Sequence, residues 1–227
     1  MKQAKWILYA LLSLLPLGIT LAVLPGLPEQ IPAHYGLDGT VDRWGSRYET
    51  LIFPAIVLLF AGLMLVITRL AARQGEANRD VALLTGMLGL ALFNGLNYYF
   101  LYTSAIRAEE LYAMPLDLMR FLFGVLGVCL MILGPFLPRL RRNRLLGLRT
   151  RWSMQDDRIW QQSQLFCGRS LLVAGAVLVL LAVLLSGVAC LVAGVIVLVL
   201  LEGIDTWYTW KLARKKSDKK CKNENIF

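Results

Sequence analysis

The sequence predicts an all-α, polytopic membrane protein with six transmembrane helices. The chain has 227 residues, of which 57% are hydrophobic and only 17% are charged. This leaves too little polar surface to cover a soluble domain of that length. The apolar residues also form six runs, each of about 18 residues or more, which is enough to cross roughly 30 Å of hydrocarbon. The runs are 6–24, 51–70, 81–103, 119–137, 167–186 and 188–207.

The basic residues indicate the orientation, because cytoplasmic loops of membrane proteins carry an excess of lysine and arginine. Of the 24 basic residues, only Arg43, Arg47, Arg107 and Arg120 fall on one side of the predicted helices. We therefore expect a multi-pass protein of the bacterial plasma membrane with both termini in the cytoplasm. No small-residue cleavage site follows the first run, so we expect it to be retained as a helix.

Three regions are predicted along the chain. Residues 1–115 hold helices 1–3 and an outer loop rich in proline and glycine, residues 116–210 hold helices 4–6 and a basic inner loop, and residues 211–227 form a basic tail. We expect the tail to be disordered and either attracted to anionic lipid or serving as a stop-transfer signal. Ser153 and Asp156 resemble a helix-capping pair, which predicts a short interfacial helix from about Met154, before helix 5, with Trp160 in the headgroup layer.

The outer loop contains His34, the only histidine of the chain, with Asp38 and Asp42 nearby. Prolines and glycines around it predict a compact, rigid turn. An imidazole between carboxylates could bind a divalent metal or change its charge near neutral pH. One histidine and two carboxylates make a weak zinc site, so we expect no metal. The alternative is that His34 hydrogen-bonds backbone groups and holds the loop in place.

Polar residues inside the predicted membrane spans are few. Asn94 and Asn97 share a helix face, and they either hydrogen-bond a neighbouring helix or line a ligand cavity. Ionised side chains in a membrane usually have partners, which applies to Glu202 and Asp205. A tight turn at residue 187 places Arg169 opposite Asp205, which predicts a structural ion pair. An ion-transport site is the alternative.

Catalytic signatures are missing from the sequence. It contains no HExxH, no GxSxG and no glycine-rich phosphate loop, and such motifs carry the commonest hydrolytic and nucleotide chemistries. The four cysteines lack CxxC spacing, so we expect free thiols and no metal centre. We therefore expect neither enzyme activity nor a cofactor.

Two segments resemble known families. Pro32-Ala33-His34-Tyr35-Gly36, with Gly39 and Asp42, resembles the short domain of unknown function that precedes the SdpI region in many bacterial proteins. Gly147-Leu148-Arg149-Thr150, Trp152-Ser153-Met154 and Trp160 resemble the SdpI signature itself. The founding members of that family are six-helix proteins that protect bacteria against a secreted antimicrobial peptide. They also sequester a transcriptional repressor at the membrane when toxin is present.

The resemblance implies an integral membrane immunity or resistance protein, with lipid, a peptide toxin and a cytoplasmic repressor as partners and no direct contact with nucleic acid. It assigns the toxin-facing role to Pro32, His34, Tyr35, Gly36, Gly39 and Asp42. It assigns partner or lipid contact to Gly147, Arg149, Thr150, Trp152 and Trp160, and Arg149 could instead bind lipid phosphate or cap helix 4. The alternative function is a small transporter or lipid-handling protein with a polar path through Asn94, Asn97, Glu202 and Asp205.

Overall fold

The computed structural model describes the backbone of residues 2–224 and the side chains of residues 3–216. Six of its helices are long and apolar enough to cross a membrane, so the predicted all-α, multi-pass membrane class is confirmed. These helices are α1 (Lys2–Val23), α2 (Ile52–Ala72), α3 (Glu76–Ala105), α4 (Leu118–Leu133), α5 (Asp157–Leu184) and α6 (Gly187–Glu224).

The connection between α1 and α2 forms a β-hairpin that the sequence analysis did not predict. Strand β1 (Gln30–Tyr35) pairs antiparallel with β2 (Val41–Ser46), and the register shifts on both sides of His34. Gly39 closes the turn with φ +82°, a conformation that glycine adopts without steric cost. Pro32 within β1 argued against a strand in the sequence, because proline is excluded from central strands. It is tolerated here because both strands of a hairpin are edge strands.

The helices of the described part pack around three clusters. One cluster of buried side chains joins α1, α2 and α3 through Tyr9, Val57, Ala61, Met64, Leu83 and Leu90. A second cluster joins the long loop after α4 to α5 and α6 through Leu137, Leu140, Leu148, Trp160, Cys167, Leu171, Ala174 and Leu201, with Val81 of α3. A third joins α4, α5 and α6 through Phe123, Leu178 and Cys190. The division into residues 1–115, 116–210 and 211–227 remains a prediction.

The bundle has two distinct ends. The hairpin end consists of β1, β2, the loop 106–117 and the turn 185–186, and the basic end consists of the loop 140–156 with the turn between α2 and α3. The first turns of α1 and α3 meet at the basic end, where Lys5 Nζ lies 4.0 Å from a carboxylate oxygen of Asp80. Lys216 of α6 contacts Asp156 at the same end.

Two predictions about the basic end are corrected in extent. The helix expected from about Met154 into helix 5 starts at Asp157 and forms the first turns of α5 itself, because Asp156 is the N-cap and accepts a hydrogen bond from the Ile159 N–H at 2.8 Å. The expected disorder of the tail is wrong for its first part, since α6 continues to Glu224. Lysine and arginine are good helix formers, so a helix that leaves the apolar run can continue through them. Residues 225–227 and the side chains after Lys216 lie outside the described part.

Candidate functional site

The hairpin is attached to the loop between α3 and α4 by backbone hydrogen bonds. The Val41 N–H donates to the Glu109 carbonyl at 3.0 Å, and the Leu111 N–H donates to the Gly39 carbonyl at 2.9 Å. These two bonds extend the hairpin by one bridge, between Thr40 and Glu110. The turn of the hairpin is therefore held against the rest of the protein.

Two tyrosines reinforce this attachment. The hydroxyl of Tyr35 donates to the Ala108 carbonyl and that of Tyr112 donates to the Leu37 carbonyl, each at 2.9 Å. Burial raises the pKa of both phenols, so they remain neutral donors at physiological pH. The Tyr112 ring also covers Gly39, where a Cβ atom would lie 2.6 Å from the ring. A rigid hairpin results.

The polar residues of the outer motif have different roles. His34 Nδ1 lies 2.6 Å from Asp42 Oδ1, and both side chains are exposed to solvent. Asp38 accepts hydrogen bonds from the N–H and the hydroxyl of Thr40 at 3.1 and 2.8 Å, which lower the pKa of Asp38. Asp38 therefore stabilises the turn, whereas His34 and Asp42 face outward. Among the described residues no group of three or more His, Cys, Asp or Glu could hold a metal ion.

A cavity of about 240 Å³ lies between the hairpin, α2 and α3. Pro32 from the outer motif and Asn97 from α3 both line it, so the structure brings together two residues that the sequence analysis treated separately. At its polar side Arg43 donates to both carboxylate oxygens of Glu49, at 3.2 and 2.8 Å. The remaining lining residues are Ile31, Ala33, Thr50, Ile52, Phe53, Ile56, Phe100, Leu101 and Ser104.

Exposed apolar side chains surround the hairpin. Leu37 at its tip is 83% exposed and Tyr48 is 60% exposed. Trp44 is partly covered by the Arg107 guanidinium, which lies 4.8 Å from its ring centroid. None of these three apolar residues was predicted from the sequence as part of the site. Bulky apolar residues within a loop otherwise rich in turn residues are the signal that could have identified them.

Asn94 and Asn97 bond to α1 across the helix interface. Asn94 Nδ2 donates to the Leu12 carbonyl at 2.8 Å. That carbonyl has no helical donor because Pro16, four residues later, lacks an N–H. Asn97 Nδ2 lies 3.4 Å from the Pro16 carbonyl and 3.3 Å from the Thr20 hydroxyl. Both amides therefore supply interhelical hydrogen bonds where a proline disturbs the partner helix.

The predicted ion pair between Arg169 and Asp205 is wrong. Asp205 is 2% exposed and accepts a hydrogen bond from the Ser170 hydroxyl at 2.7 Å. Arg169 is exposed, because one residue along a helix corresponds to about 100° of rotation and Ser170 occupies the face toward α6. Glu202 lies on another face of α6 and lines a cavity with Trp152 and Trp207.

The basic loop is held by a buried glutamine that the sequence analysis missed. The side chain of Gln164 accepts from the Leu148 N–H and donates to the Leu148 carbonyl, both at 3.1 Å. Gly147 adopts φ +84° beside it, and a Cβ there would lie 2.4 Å from Gln164 Oε1. A second missed residue, Asn143, accepts from the N–H groups of Leu145 and Leu146. Both are uncharged polar residues next to apolar runs, and this is the sequence signal that could have identified them as buried residues that hold the loop.

The other motif residues of the basic loop divide into buried and exposed ones. Thr150 Oγ1 lies 2.9 Å from Thr209 Oγ1 and also bonds to Ser153. Trp160 is 1% exposed and its indole N–H donates to the Leu140 carbonyl at 2.8 Å. Its predicted place in the headgroup layer is therefore wrong, because its ring packs under the loop.

Arg149 and Trp152 are the motif side chains that remain accessible at the basic end. Arg149 is exposed and donates to the Arg144 carbonyl. Trp152 is half-buried, and the Arg151 guanidinium lies 4.5 Å from its ring centroid.

Comparison with known proteins matches two segments of the chain. Residues 11–58 match a domain of unknown function, DUF1648, and residues 139–204 match the SdpI/YfhL protein family. The chain is thus similar to a DUF1648 domain near its start and to the SdpI/YfhL family further along. The first segment contains the hairpin, and the second contains the basic loop, all of α5 and the first half of α6. Both groups of motif residues therefore fall within matched segments.

Two curated proteins are similar to parts of this chain. The chain is 26% identical to Immunity protein SdpI of Bacillus subtilis (strain 168) over 156 residues, which are 69% of this chain and 70% of that protein. It is 48% identical to an uncharacterized protein of Archaeoglobus fulgidus over 44 residues, 19% of this chain and 24% of that protein. No solved structure matches. The chain is thus a multi-pass membrane protein related to a membrane immunity protein family.

Proposed function

We propose that this chain is an immunity or resistance protein of the bacterial plasma membrane that intercepts a secreted antimicrobial peptide at its hairpin end. Its similarity to a protein named Immunity protein SdpI supports this function. The excess of basic residues at the other end supports an orientation with the hairpin outside and both termini in the cytoplasm. The observation that carries the proposal is the cavity beneath a hairpin that hydrogen bonds attach to the loop between α3 and α4.

The size of this cavity favours a peptide side chain over a free small molecule. Small-molecule sites usually have about 300–1,000 Å³, whereas this cavity has about 240 Å³. One large apolar side chain fits such a space, and its full burial stabilises a complex by roughly 1.5–3 kcal/mol. Leu37 and Tyr48, exposed beside the hairpin, would add apolar contacts with the rest of a bound peptide.

The hairpin also suits a binding role because it is ordered before a peptide arrives. Its attachments through Tyr35 and Tyr112 mean that little conformational entropy is lost on binding, which preserves affinity. The ion pair between Arg43 and Glu49 at the cavity wall offers charged groups to the polar backbone of the peptide. Nothing in this mechanism requires covalent chemistry, since protection follows from occupancy.

A second role, sequestration of a cytoplasmic transcriptional repressor, is proposed for the basic end. Arg149 and Trp152 are accessible there on a loop that Gln164 and Thr150 hold rigid. An exposed guanidinium can form bidentate bonds with a carboxylate, and Trp152 provides an apolar contact next to it. This surface therefore fits an acidic or amphipathic protein segment.

The geometry gives less support to the transport alternative. The amides of Asn94 and Asn97 bond to α1, and Asp205 bonds to Ser170. Glu202 lines a cavity that contains none of these three residues. In the part of the chain with described side chains, the four candidate residues therefore form no common polar path.

The experiment that tests the proposed function is survival of a toxin-sensitive Gram-positive strain expressing this protein, challenged with a panel of secreted antimicrobial peptides. Ile56→Trp would fill the cavity, and Leu59→Trp on the lipid-facing side of α2 is the matched control, being 75% exposed and outside the cavity lining. At equal membrane levels, we expect cells with Ile56→Trp to survive only up to a peptide concentration at least tenfold lower than cells with the wild type. Cells with Leu59→Trp should be protected like the wild type.

Two further variants separate the roles of the two ends. We expect His34→Ala to weaken protection and Arg149→Ala to retain it while losing any transcriptional response to the peptide. If the wild type protects cells against none of the peptides in the panel, the proposed function is contradicted.

A further inference from the structure

We propose that the groove between α5 and α6 at the basic end binds one anionic phospholipid. Its phosphate would be held by Arg158, Arg169 and Lys215, and one acyl chain would lie along the apolar side of the groove. This site is separate from the hairpin cavity and from the basic loop, and it is independent of the peptide and repressor roles.

The polar half of the groove is a cavity of about 430 Å³ between the first turns of α5 and the last described turns of α6. Four basic side chains line it: Arg158, Arg169, Lys215 and Lys216. Lys216 is shared with Asp156, whose pKa it lowers. No carboxylate lies among the described lining residues, so the groove keeps a net positive charge.

The apolar half is a second cavity of about 540 Å³ on the same side of the two helices. Val173 and Val177 of α5 and Leu200 and Ile204 of α6 line it, and each is at least 36% exposed. Both cavities include Arg169 and Phe166. They therefore form one groove that is cationic at one end and apolar along the rest.

The boundary between the two halves lies at the depth of a lipid headgroup. Phe166 stacks on Tyr208 with ring centroids 3.9 Å apart and planes 8° from parallel. Tyr208 lies about 31 Å along α6 from Gly187, at 1.5 Å per residue, which equals the thickness of the hydrocarbon core. Tyrosines favour this boundary, and the long stem of Arg169 allows its charge to reach the headgroup layer from one turn deeper.

The charges in the groove favour an anionic lipid over a neutral one. Among the described side chains, no carboxylate forms an ion pair with Arg158, Arg169 or Lys215. Asp205, a nearby acidic residue of α6, bonds to Ser170 instead. A phosphodiester would compensate these cations through charge-assisted hydrogen bonds. A free phosphate would fill only the polar half, and its binding would leave the apolar half in contact with bulk lipid.

The test is native mass spectrometry of the full-length protein, titrated with phosphatidylglycerol or phosphatidylcholine of the same acyl chains. We expect phosphatidylglycerol to bind in one-to-one stoichiometry at least tenfold more tightly than phosphatidylcholine. Arg169→Gln should weaken the binding of phosphatidylglycerol roughly tenfold, which corresponds to one charge-assisted hydrogen bond. Arg73→Gln, which removes an exposed arginine of the same end but outside the groove, should change it less than twofold.

Two other arms examine the apolar half and the source of the phosphate. Val177→Trp should weaken phosphatidylglycerol binding at an unchanged melting temperature, because the indole occupies the path of the acyl chain. Glycerol 3-phosphate at millimolar concentration should not displace the lipid. Equal losses for Arg169→Gln and Arg73→Gln, equal affinity for the two lipids, or displacement by glycerol 3-phosphate would each overturn the proposal.

Discussion

Gly134 at the end of α4 and Gly168 of α5 are in backbone contact, since a Cβ atom on Gly168 would lie 2.4 Å from the Gly134 carbonyl oxygen. The contact recurs two turns along, where a Cβ on Gly175 would lie 2.5 Å from the Gly127 carbonyl oxygen. Small residues allow membrane helices to approach closely. These two contacts explain why α4 and α5 have the most extensive contact of any two helices in the described bundle.

Gly168→Ala should therefore destabilise the protein. The added methyl group cannot fit beside the Gly134 backbone, and overpacking of this kind costs about 1–3 kcal/mol. Gly203→Ala is the matched control, because nothing lies within 4 Å of its Cβ position, and alanine favours a helix by up to about 1 kcal/mol. Thermal unfolding in detergent, followed by circular dichroism, measures both. Equal melting temperatures for the two variants would argue against the close contact.

The bond between Asn94 and the Leu12 carbonyl can be tested by a double-mutant cycle. Asn94→Leu should cost about 1–2 kcal/mol, because the carbonyl that Pro16 leaves without a helical donor loses its partner. Pro16→Ala supplies the missing N–H, so the same Asn94→Leu change should cost less in that background. Unfolding free energies of the four proteins give the coupling. Strictly additive effects would show that Asn94 does not compensate for the proline.

Trp160→Phe should destabilise the basic loop. The Leu140 carbonyl would lose the indole N–H in a buried site, which costs about 1–3 kcal/mol. Trp207→Phe is the control, since Trp207 is 52% exposed. Protease accessibility of residues 140–156 reports the loop directly. If the loop resists protease equally in both variants, the hydrogen bond between Trp160 and Leu140 does not contribute to ordering it.

Asp156 should make the basic end sensitive to acid. Its pKa is lowered, first by the Lys216 ammonium and then by the Ile159 N–H at the start of α5. Because the folded state favours the ionised form, Asp156 stabilises the protein above the ordinary carboxyl pKa of about 4, and this contribution is lost as the pH falls below it. Asp156→Asn keeps an N-cap acceptor, but it should make the melting temperature depend less on pH between about pH 5 and 3. An unchanged pH profile would contradict this assignment.

Several features of the site could be read from the chain without a structure. The prolines and glycines around His34 predicted a turn, and Gly39 adopts positive φ there. The turn between α5 and α6 was also placed correctly, since Ser170 meets Asp205 and Phe166 meets Tyr208 about a centre near residue 187. The partner of Asp205 was nevertheless wrong, because an error of one residue turns a helical side chain by about 100°.

The sequence by itself determined the membrane class, the six spans and the concentration of basic residues at one end, because apolar length and charge are properties of contiguous segments. Only the tertiary structure decided which side chains meet. It paired the hairpin with the loop after α3, placed Pro32 and Asn97 at one cavity and buried Trp160 under the basic loop. Contacts between distant segments depend on helix rotation and strand register, which local composition leaves open because lipid-facing and buried faces of membrane helices are almost equally apolar.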